Sequence, residues 1–261
     1  MSTLADTGPR WRVSPVVVVA ITVAWGLALA AEYTGRVQWI HHHHLVTEQM
    51  SPLGSIALFL LAWQVHIAAM MLPSTLPMVG LFRRASARQP HPTLPRTAFL
   101  GGYLVVWTAF GVAAVLGNAL AHATLGHSSA LGGHPGVMAG GVIILAGAFQ
   151  FSSLKDRCMQ QCRHPAAFIA RHYRQGIAGA FNLGLRHGLF CLGCCWALML
   201  IMLVVGIANL AWMVPLALLM LYEKIGAGGD RMVRPVGGLL ILLGVAVLVE
   251  PRLAMLLGMS H

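Results

Sequence analysis

Charged residues are scarce along this chain, and acidic residues are scarcer still. Asp, Glu, Lys and Arg make up only 9% of its 261 residues, and just 7 residues are Asp or Glu, whereas roughly a quarter of an ordinary soluble domain is charged. Hydrophobic residues make up 57% of the chain. A soluble fold would leave too much of this apolar surface in water, so the composition predicts an integral membrane protein.

The chain also lacks the residue constellations on which most enzymes depend. It contains no phosphate-cradling glycine loop, no carboxylate pair and no Ser, His and acid set in register. Glu223 and Glu250 lie at the ends of apolar stretches, which argues against a proton relay built on buried carboxylates. We therefore expect a protein that is not an enzyme.

The apolar stretches predict the architecture. A spanning helix needs about 20 mostly apolar residues, because it rises about 1.5 Å per residue across a hydrocarbon core about 30 Å thick. Six stretches pass this test, and the fifth is long enough to fold back as a hairpin near Gly206 and Asn209. We predict an all-α, polytopic transmembrane bundle of about seven spans that forms a single membrane domain over 1–261. The predicted spans are 16–33, 53–72, 99–121, 137–154, 188–205, 209–222 and 236–249.

The basic residues predict the orientation, since Lys and Arg accumulate in cytoplasmic loops. With the N-terminus in the cytoplasm, all of the 17 Lys and Arg residues except Arg36 and Arg252 fall on the cytoplasmic side. The net charge of +10 is thus attributed to topology, and no nucleic-acid partner is expected. The cytoplasmic connection over 152–186 is predicted to hold a short amphipathic helix around Phe168 and Tyr173.

Sulfur and imidazole are the abundant functional groups, with 5 Cys, 14 Met and 13 His in the chain. At about 100° per residue, the donors at the start of the fifth span share one side of the helix: His187, Cys191, Cys194, Cys195, Met199 and Met202. Soft thiolate and thioether donors favour Cu(I), while thiolate with imidazole also suits Zn²⁺. One Cys or Met alone would be an ordinary apolar filler, but three cysteines on one face favour a metal site.

A second cysteine pair, Cys158 and Cys162, has i, i+4 spacing in the basic connection after the fourth span. Flanking Lys and Arg favour the thiolate form. In the reducing cytoplasm such thiols bind metal or exchange with other thiols rather than form a structural disulfide. The pair is therefore a further candidate for metal ligation.

The second span carries His66 and Met70, also at i, i+4 spacing. A histidine inside a span is either a functional group, here a metal ligand, or a neutral side chain hydrogen-bonded to a neighbouring helix. Pro73 and Pro77 are predicted to break this helix near the cytoplasmic surface. We expect the Met-Met-Pro end of the span to pack near the cysteine face of the fifth span.

Histidines are also concentrated on the predicted outer side. They are the run His41–His44 and the residues His122, His127 and His134. Such tracts bind Cu²⁺ or Zn²⁺ weakly, and a flexible polar loop is the alternative interpretation.

Three phrases of the sequence carry a resemblance to a known family. They are AMMLP at 69–73, QFSSLK at 150–155 followed by both cysteines of the second pair, and CLGCCW at 191–196 with Glu223 and Lys224. Together, over about 53–224, they resemble the bacterial predicted metal-binding integral membrane proteins known as domain of unknown function 2182. His66 stands where Met is expected in that family, which replaces a soft donor by a borderline one.

The resemblance implies a multi-pass metal-binding protein of the bacterial inner membrane. We expect it to handle copper, by transport, sensing or delivery, with the lipid bilayer around it and a metallochaperone or cuproenzyme as partner. Two other classes fit the residues. A thiol oxidoreductase would exchange electrons between the two cysteine groups, and a haem protein would use His66 and His187 as axial ligands.

Overall fold

The structure is a computed structural model that describes residues 14–34, 52–125, 135–206, 209–250 and 252–258. These residues form helices and no strand, which confirms the all-α prediction. In chain order the helices are α1 (Pro15–Tyr33), α2 (Pro52–Met70), α3 (Leu72–Ala85), α4 (Thr93–Leu125), α5 (Pro135–Phe149), α6 (Ser153–Arg163), α7 (Pro165–His172), α8 (Gly176–Val205), α9 (Leu210–Ile225), α10 (Gly229–Val249) and α11 (Arg252–Leu256).

Several of these helices are long and apolar enough to cross a membrane. Helices α1, α4, α8 and α10 each meet that condition alone. The bent pairs α2 with α3 and α5 with α6 meet it jointly, so the described residues provide between four and six candidate spans. Helix α9 falls where the span over 209–222 was predicted, but with 16 residues it is shorter than the four single candidates. The count of seven therefore stays a prediction.

The bend of 72° between α2 and α3 lies at Met71. Pro73 has no N–H to donate to the carbonyl of Ala69, so the α2 hydrogen-bond ladder stops there. The freed Ala69 carbonyl accepts a hydrogen bond from the indole N–H of Trp25 at 3.0 Å. Pro77, in contrast, lies inside α3. The break predicted for this region is confirmed, but it lies two residues before Pro73, and Pro77 does not interrupt the helix.

The bend of 66° between α5 and α6 turns the chain back toward α8. A short turn over 150–152 ends α5, and the Ser152 side chain accepts a hydrogen bond from the backbone N–H of Leu154 at 3.1 Å. This capping satisfies one of the free N–H groups at the start of α6. Helix α6 therefore does not continue along α5 but packs on α8 and α9.

Helix α8 lies at the centre of the bundle. It contacts α4, α5, α6 and α9, and 56% of its most apolar stretch is buried, against 17% for α1. Two glycines let α4 and α8 approach closely: a Cβ on Gly102 would meet the Phe181 carbonyl, and one on Gly184 would meet that of Phe99. Small residues at helix contacts are typical of membrane bundles, where close backbone approach maximises van der Waals packing.

The hairpin predicted near Gly206 and Asn209 is present. Helix α8 ends at Val205, and Gly206 has a φ of 98°, which glycine adopts without steric strain. The Asn209 side chain accepts a hydrogen bond from the Ala211 N–H at 3.1 Å and so caps α9.

The short helix predicted in the connection over 152–186 is α7, and its Phe168 is buried against the ring of Phe190 with centroids 5.8 Å apart. This helix therefore packs on the bundle.

Candidate metal centre

All five cysteines come together where α6 packs on α8. Cys158 and Cys162 lie on α6, and Cys191, Cys194 and Cys195 lie on α8. None forms a disulfide, and only Cys162 is partly exposed. Gly193 makes the approach of the two helices possible, because a Cβ on that residue would lie 2.5 Å from the Cys158 sulfur. The two groups that are separate in the sequence thus form one thiol cluster.

The thiols of the cluster form a continuous series from the partly exposed cysteine inward. Cys162 lies one helical turn after Cys158, and the Cys158 sulfur lies against Gly193, the residue before Cys194, so the α6 pair faces the α8 thiols. The Cys194 and Cys195 thiols also donate to the Cys191 carbonyl, at 3.0 and 2.9 Å. This follows from the helix repeat, which brings residues three and four positions apart onto one face.

At its inner end the series meets a methionine and a lysine. The Cys195 sulfur lies 3.7 Å from the Met71 sulfur at the α2–α3 bend. The ammonium of Lys224 lies 3.1 Å from the Cys191 sulfur, 3.7 Å from that of Cys195 and 3.9 Å from that of Met71. It also donates to the Ser74 hydroxyl at 3.3 Å. We call Cys191, Cys195 and Met71, with the Lys224 ammonium among them, the inner cluster.

The phenol of Tyr103 extends the inner cluster toward α4. Its oxygen lies 3.2 Å from the Cys191 sulfur, and the side chain is 1% exposed. Cys191 therefore has polar partners from two directions, the phenol on one side and the ammonium on the other. Both are the kind of contact that stabilises a buried thiolate relative to the thiol.

A buried ion pair anchors α6 beneath the cluster. The Lys155 ammonium lies 2.7 Å from the Glu223 carboxylate, with side chains 0% and 2% exposed. Lys155 also donates to the carbonyl of Cys194 at 3.1 Å, and Arg163 donates to the carbonyls of Glu223 and Gly226. Since removing one partner of a buried pair leaves an uncompensated charge, this pair holds α6, α8 and α9 in fixed register.

Glu223 lies near the end of α9, where the sequence placed it, but it is buried and charge-paired. The sequence argued only against a proton relay built on buried carboxylates. The structure gives this carboxylate another role, because it neutralises the lysine that supports Cys194.

Other predicted ligands lie elsewhere around α8 and α2. His187 is buried among aromatic rings, with its ring centroid 6.0 Å from that of Phe99 and 5.6 Å from that of Tyr103. His66 is buried and stacks on Trp63 at 5.7 Å.

The predicted methionines are all buried: Met70, Met199 and Met202 are 0% exposed. The packing of the Met-Met-Pro end against the cysteine face is confirmed, but through Met71 rather than Met70. The run His41–His44, His127 and His134 lie outside the described residues, as does the side chain of His122 in α4.

The described residues contain no group of three or more His, Cys, Asp or Glu side chains arranged to hold one metal ion. Methionine sulfur is a further type of donor that is not in that set. With the Met71 thioether included, the inner cluster offers two thiols and one thioether. That set suits a soft ion of low coordination number. Structural Zn²⁺ sites are tetrahedral with four Cys or His ligands, so Zn²⁺ would need donors beyond this set.

Four residues of the inner cluster and its support were not named as site residues from the sequence: Met71, Tyr103, Lys155 and Lys224. All of them except Tyr103 lie in the phrases that carry the family resemblance. A usable signal was present for the lysines. Lys155 and Lys224 are the only two lysines in the chain, and each follows a long apolar run at the edge of a predicted span. The basic residues elsewhere are all Arg, which holds its charge in any environment.

A family model described as PpoB2, copper chaperone, matches residues 60–247, which is well over half of the chain. The matched region includes all five cysteines, Met71 and both lysines. It supports the copper-related family that the sequence implied, whereas the name domain of unknown function 2182 is not confirmed. No curated protein and no solved structure gives a significant match.

Proposed function

This chain belongs to the PpoB2 copper chaperone family, and from that premise we propose that it binds Cu(I) in the inner cluster and delivers the ion to a copper-requiring partner. The ion is cargo in this proposal, held by Cys191 and Cys195 with Met71 as a third sulfur. Cysteine and methionine sulfurs are the ligands that Cu(I) prefers over harder ions.

The observation that carries the proposal is the convergence of three sulfur atoms from two distant segments. Met71 is brought to Cys195 only because α2 breaks at that residue, and the two sulfurs lie 3.7 Å apart. All three side chains are at most 1% exposed. A buried, polarizable set of this kind can hold an ion of single charge without its water shell, whereas a hard dication would lose more hydration energy than such ligands return.

Charge balance favours the same ion. Two thiolates with one Cu(I) carry a net charge of −1, and the Lys224 ammonium, 3.1 Å from Cys191, brings the sum to zero. A neutral assembly is far less costly to bury than a charged one. With Zn²⁺ the same groups would carry a net charge of +1.

We place this function in the bacterial inner membrane, with the N-terminus and the connection over 152–186 in the cytoplasm. The support is the distribution of Lys and Arg together with the apolar helices. The thiol cluster then opens to the compartment in which copper is kept reduced, and a cytoplasmic metallochaperone or a cuproenzyme is the partner that this chemistry fits.

Cu(I) titration of the purified protein against a competing chelator tests the function. Replacing Cys191, Cys194 and Cys195 together by Ser keeps the side-chain size but removes the thiolates, so we expect Cu(I) binding to be lost while membrane insertion is kept. The matched control is Ser153→Ala, which removes a hydroxyl from the exposed face of α6.

Equal copper retention by the triple variant and the wild type would overturn the proposal. The same preparations separate the alternatives. A haem protein shows a Soret band as purified, and a thiol oxidoreductase passes electrons to quinone in a reaction that alkylation blocks.

A further inference from the structure

The partly exposed Cys162 is not explained by the inner cluster. It belongs to the α6 pair, and the inner cluster is formed by α8 and the α2–α3 bend. Its helix face nevertheless packs on the α8 cysteines, because Cys158, one turn before it, lies against Gly193, the residue before Cys194. A fully buried ion needs a path along which it never loses all of its sulfur ligands, because free Cu(I) in an apolar interior is very unfavourable.

We propose that Cys162 and Cys194 form a second, outer Cu(I) subsite, through which the ion enters and leaves the inner cluster. This inference rests on the proposed function and adds the route of the ion. Cys194 is the α8 cysteine next to Gly193, against which α6 packs, and its thiol shares the Cys191 carbonyl with the thiol of Cys195. Cys158 lies against Gly193, next to Cys194. In this proposal Cys158 packs α6 onto α8 and does not bind the ion.

Each step of the transfer exchanges one sulfur ligand for another. In the first step a bond between copper and the Cys195 sulfur forms while the bond to Cys162 breaks. In the second step a bond to the Cys191 sulfur forms while the bond to Cys194 breaks. The thiol that gains the ion gives up a proton, and the thiol that is released takes one up. Copper stays Cu(I) throughout, so no oxidant or reductant is needed.

The subsites differ in burial and in charge, which gives the route a direction. The inner cluster is fully buried and has the Lys224 ammonium among its sulfurs. The outer pair includes the one thiol that reaches the surface. The inner site should therefore hold the ion more tightly, and the outer site should control how fast it exchanges.

The test separates retention from rate. Protein loaded with one equivalent of Cu(I) is mixed with bathocuproine disulfonate, and the coloured complex reports extraction. Cys162→Ser should retain copper at equilibrium like the wild type but release it about tenfold more slowly. Gly193→Ala keeps all five thiols but pushes Cys158 and α6 away from α8, so it should also slow release.

The matched controls are Gln160→Ser, on the exposed face of α6, and Gly101→Ala, where a Cβ meets nothing within 4 Å. Both should release copper at the wild-type rate. The route is wrong if Cys162→Ser and Gly193→Ala release copper as fast as the wild type. It is also wrong if Cys162→Ser loses retention altogether, since that would make Cys162 a ligand of a single site.

A measurement on the wild type makes the result independent of the folding of variants. With one equivalent of Cu(I), N-ethylmaleimide should still modify Cys162 but not Cys191 or Cys195. With two equivalents, Cys162 should be protected as well. Modification of Cys162 at the copper-free rate in excess Cu(I) would overturn the outer subsite, while a wild type that retains no Cu(I) would overturn the proposed function itself.

Discussion

Lys224 has an unusual place for a lysine, since its ammonium is surrounded by sulfur. Its side chain is 4% exposed, and its nearest neighbours are Cys191, Cys195, Met71 and Ser74. An ammonium in such a position has lost most of its hydration and depends on negative charge nearby. The thiolate forms of Cys191 and Cys195 would supply that charge, which links the lysine to the form of the cysteines that binds metal.

Replacing Lys224 by a neutral residue should weaken Cu(I) binding. Two unit charges 4 Å apart interact by about 4 kcal/mol at an effective dielectric constant of 20, and the cost of burying the ammonium offsets part of this. We expect Lys224→Gln to bind Cu(I) about ten- to a hundredfold more weakly in a chelator competition. Arg231→Gln, which removes an exposed charge from α10, is the control. Tighter binding by Lys224→Gln would mean that the ammonium competes with the ion.

The two neighbouring methionines offer a sharper comparison. Met70 and Met71 are both 0% exposed, but the sulfur contact with Cys195 belongs to Met71. A Met to Leu change conserves volume and costs less than about 1.5 kcal/mol of stability, so both variants should fold. Met71→Leu should lose about tenfold in Cu(I) affinity, whereas Met70→Leu should match the wild type. If Met70→Leu instead bound Cu(I) more weakly than Met71→Leu, Met70 would be the ligand.

Both helix breaks deliver residues to the thiol cluster. The α2–α3 bend presents Met71 and then Ser74, and the α5–α6 bend leads directly to Lys155 and the α6 cysteines. In membrane proteins an interrupted helix backbone is tolerated where it is buried in protein or lines a water-filled cavity, because its freed polar groups need partners. Here the Trp25 indole satisfies one freed carbonyl and the Ser152 hydroxyl satisfies one freed N–H.

Helices α5 and α10 are held together by reciprocal glycines. A Cβ on Gly147 would lie 2.7 Å from the carbonyl of Gly237, and one on Gly140 would lie 2.9 Å from that of Gly244. The backbones of α5 and α10 are in close contact at these glycines, and an added methyl group would force the two helices apart.

Gly147→Ala should therefore lower stability by about 1–3 kcal/mol, which corresponds to a fall of several degrees in the thermal midpoint in detergent. Gly141→Ala, on the same helix with nothing within 4 Å of the added Cβ, should melt with the wild type. Equal midpoints for the two variants would contradict the close packing of α5 on α10.

The orientation of the whole protein decides which compartment the cysteines meet. Reporter fusions after Ala85, Ser128, Gln175 and Ser260 should report inside, outside, inside and outside, because the basic residues segregate in that way. A fusion at Ala24, within α1, is the control for reporter folding, since a truncated span should give no consistent signal. An outside result at Gln175 would place α6 and its cysteines away from the cytoplasm and would contradict the proposed route of copper.

The sequence by itself determined the helices, the hairpin at Gly206 and the shared face of Cys191, Cys194 and Cys195. Each of these depends on local properties: apolar length, turn chemistry at Gly206 and Asn209, and the 3.6-residue helix repeat. The same locality explains why the break near Pro73 was predictable, since a missing N–H acts within one turn.

Only the tertiary structure decided which partners meet across the bundle. It placed Met71 rather than Met70 at Cys195, packed the α6 cysteines on the α8 cysteines and set Lys224 among the sulfurs. These contacts join segments far apart in the chain, and they depend on bend angles and on glycine contacts between helices. Periodicity shows which side of a helix is apolar, but it carries no information about the residue that faces it from another helix.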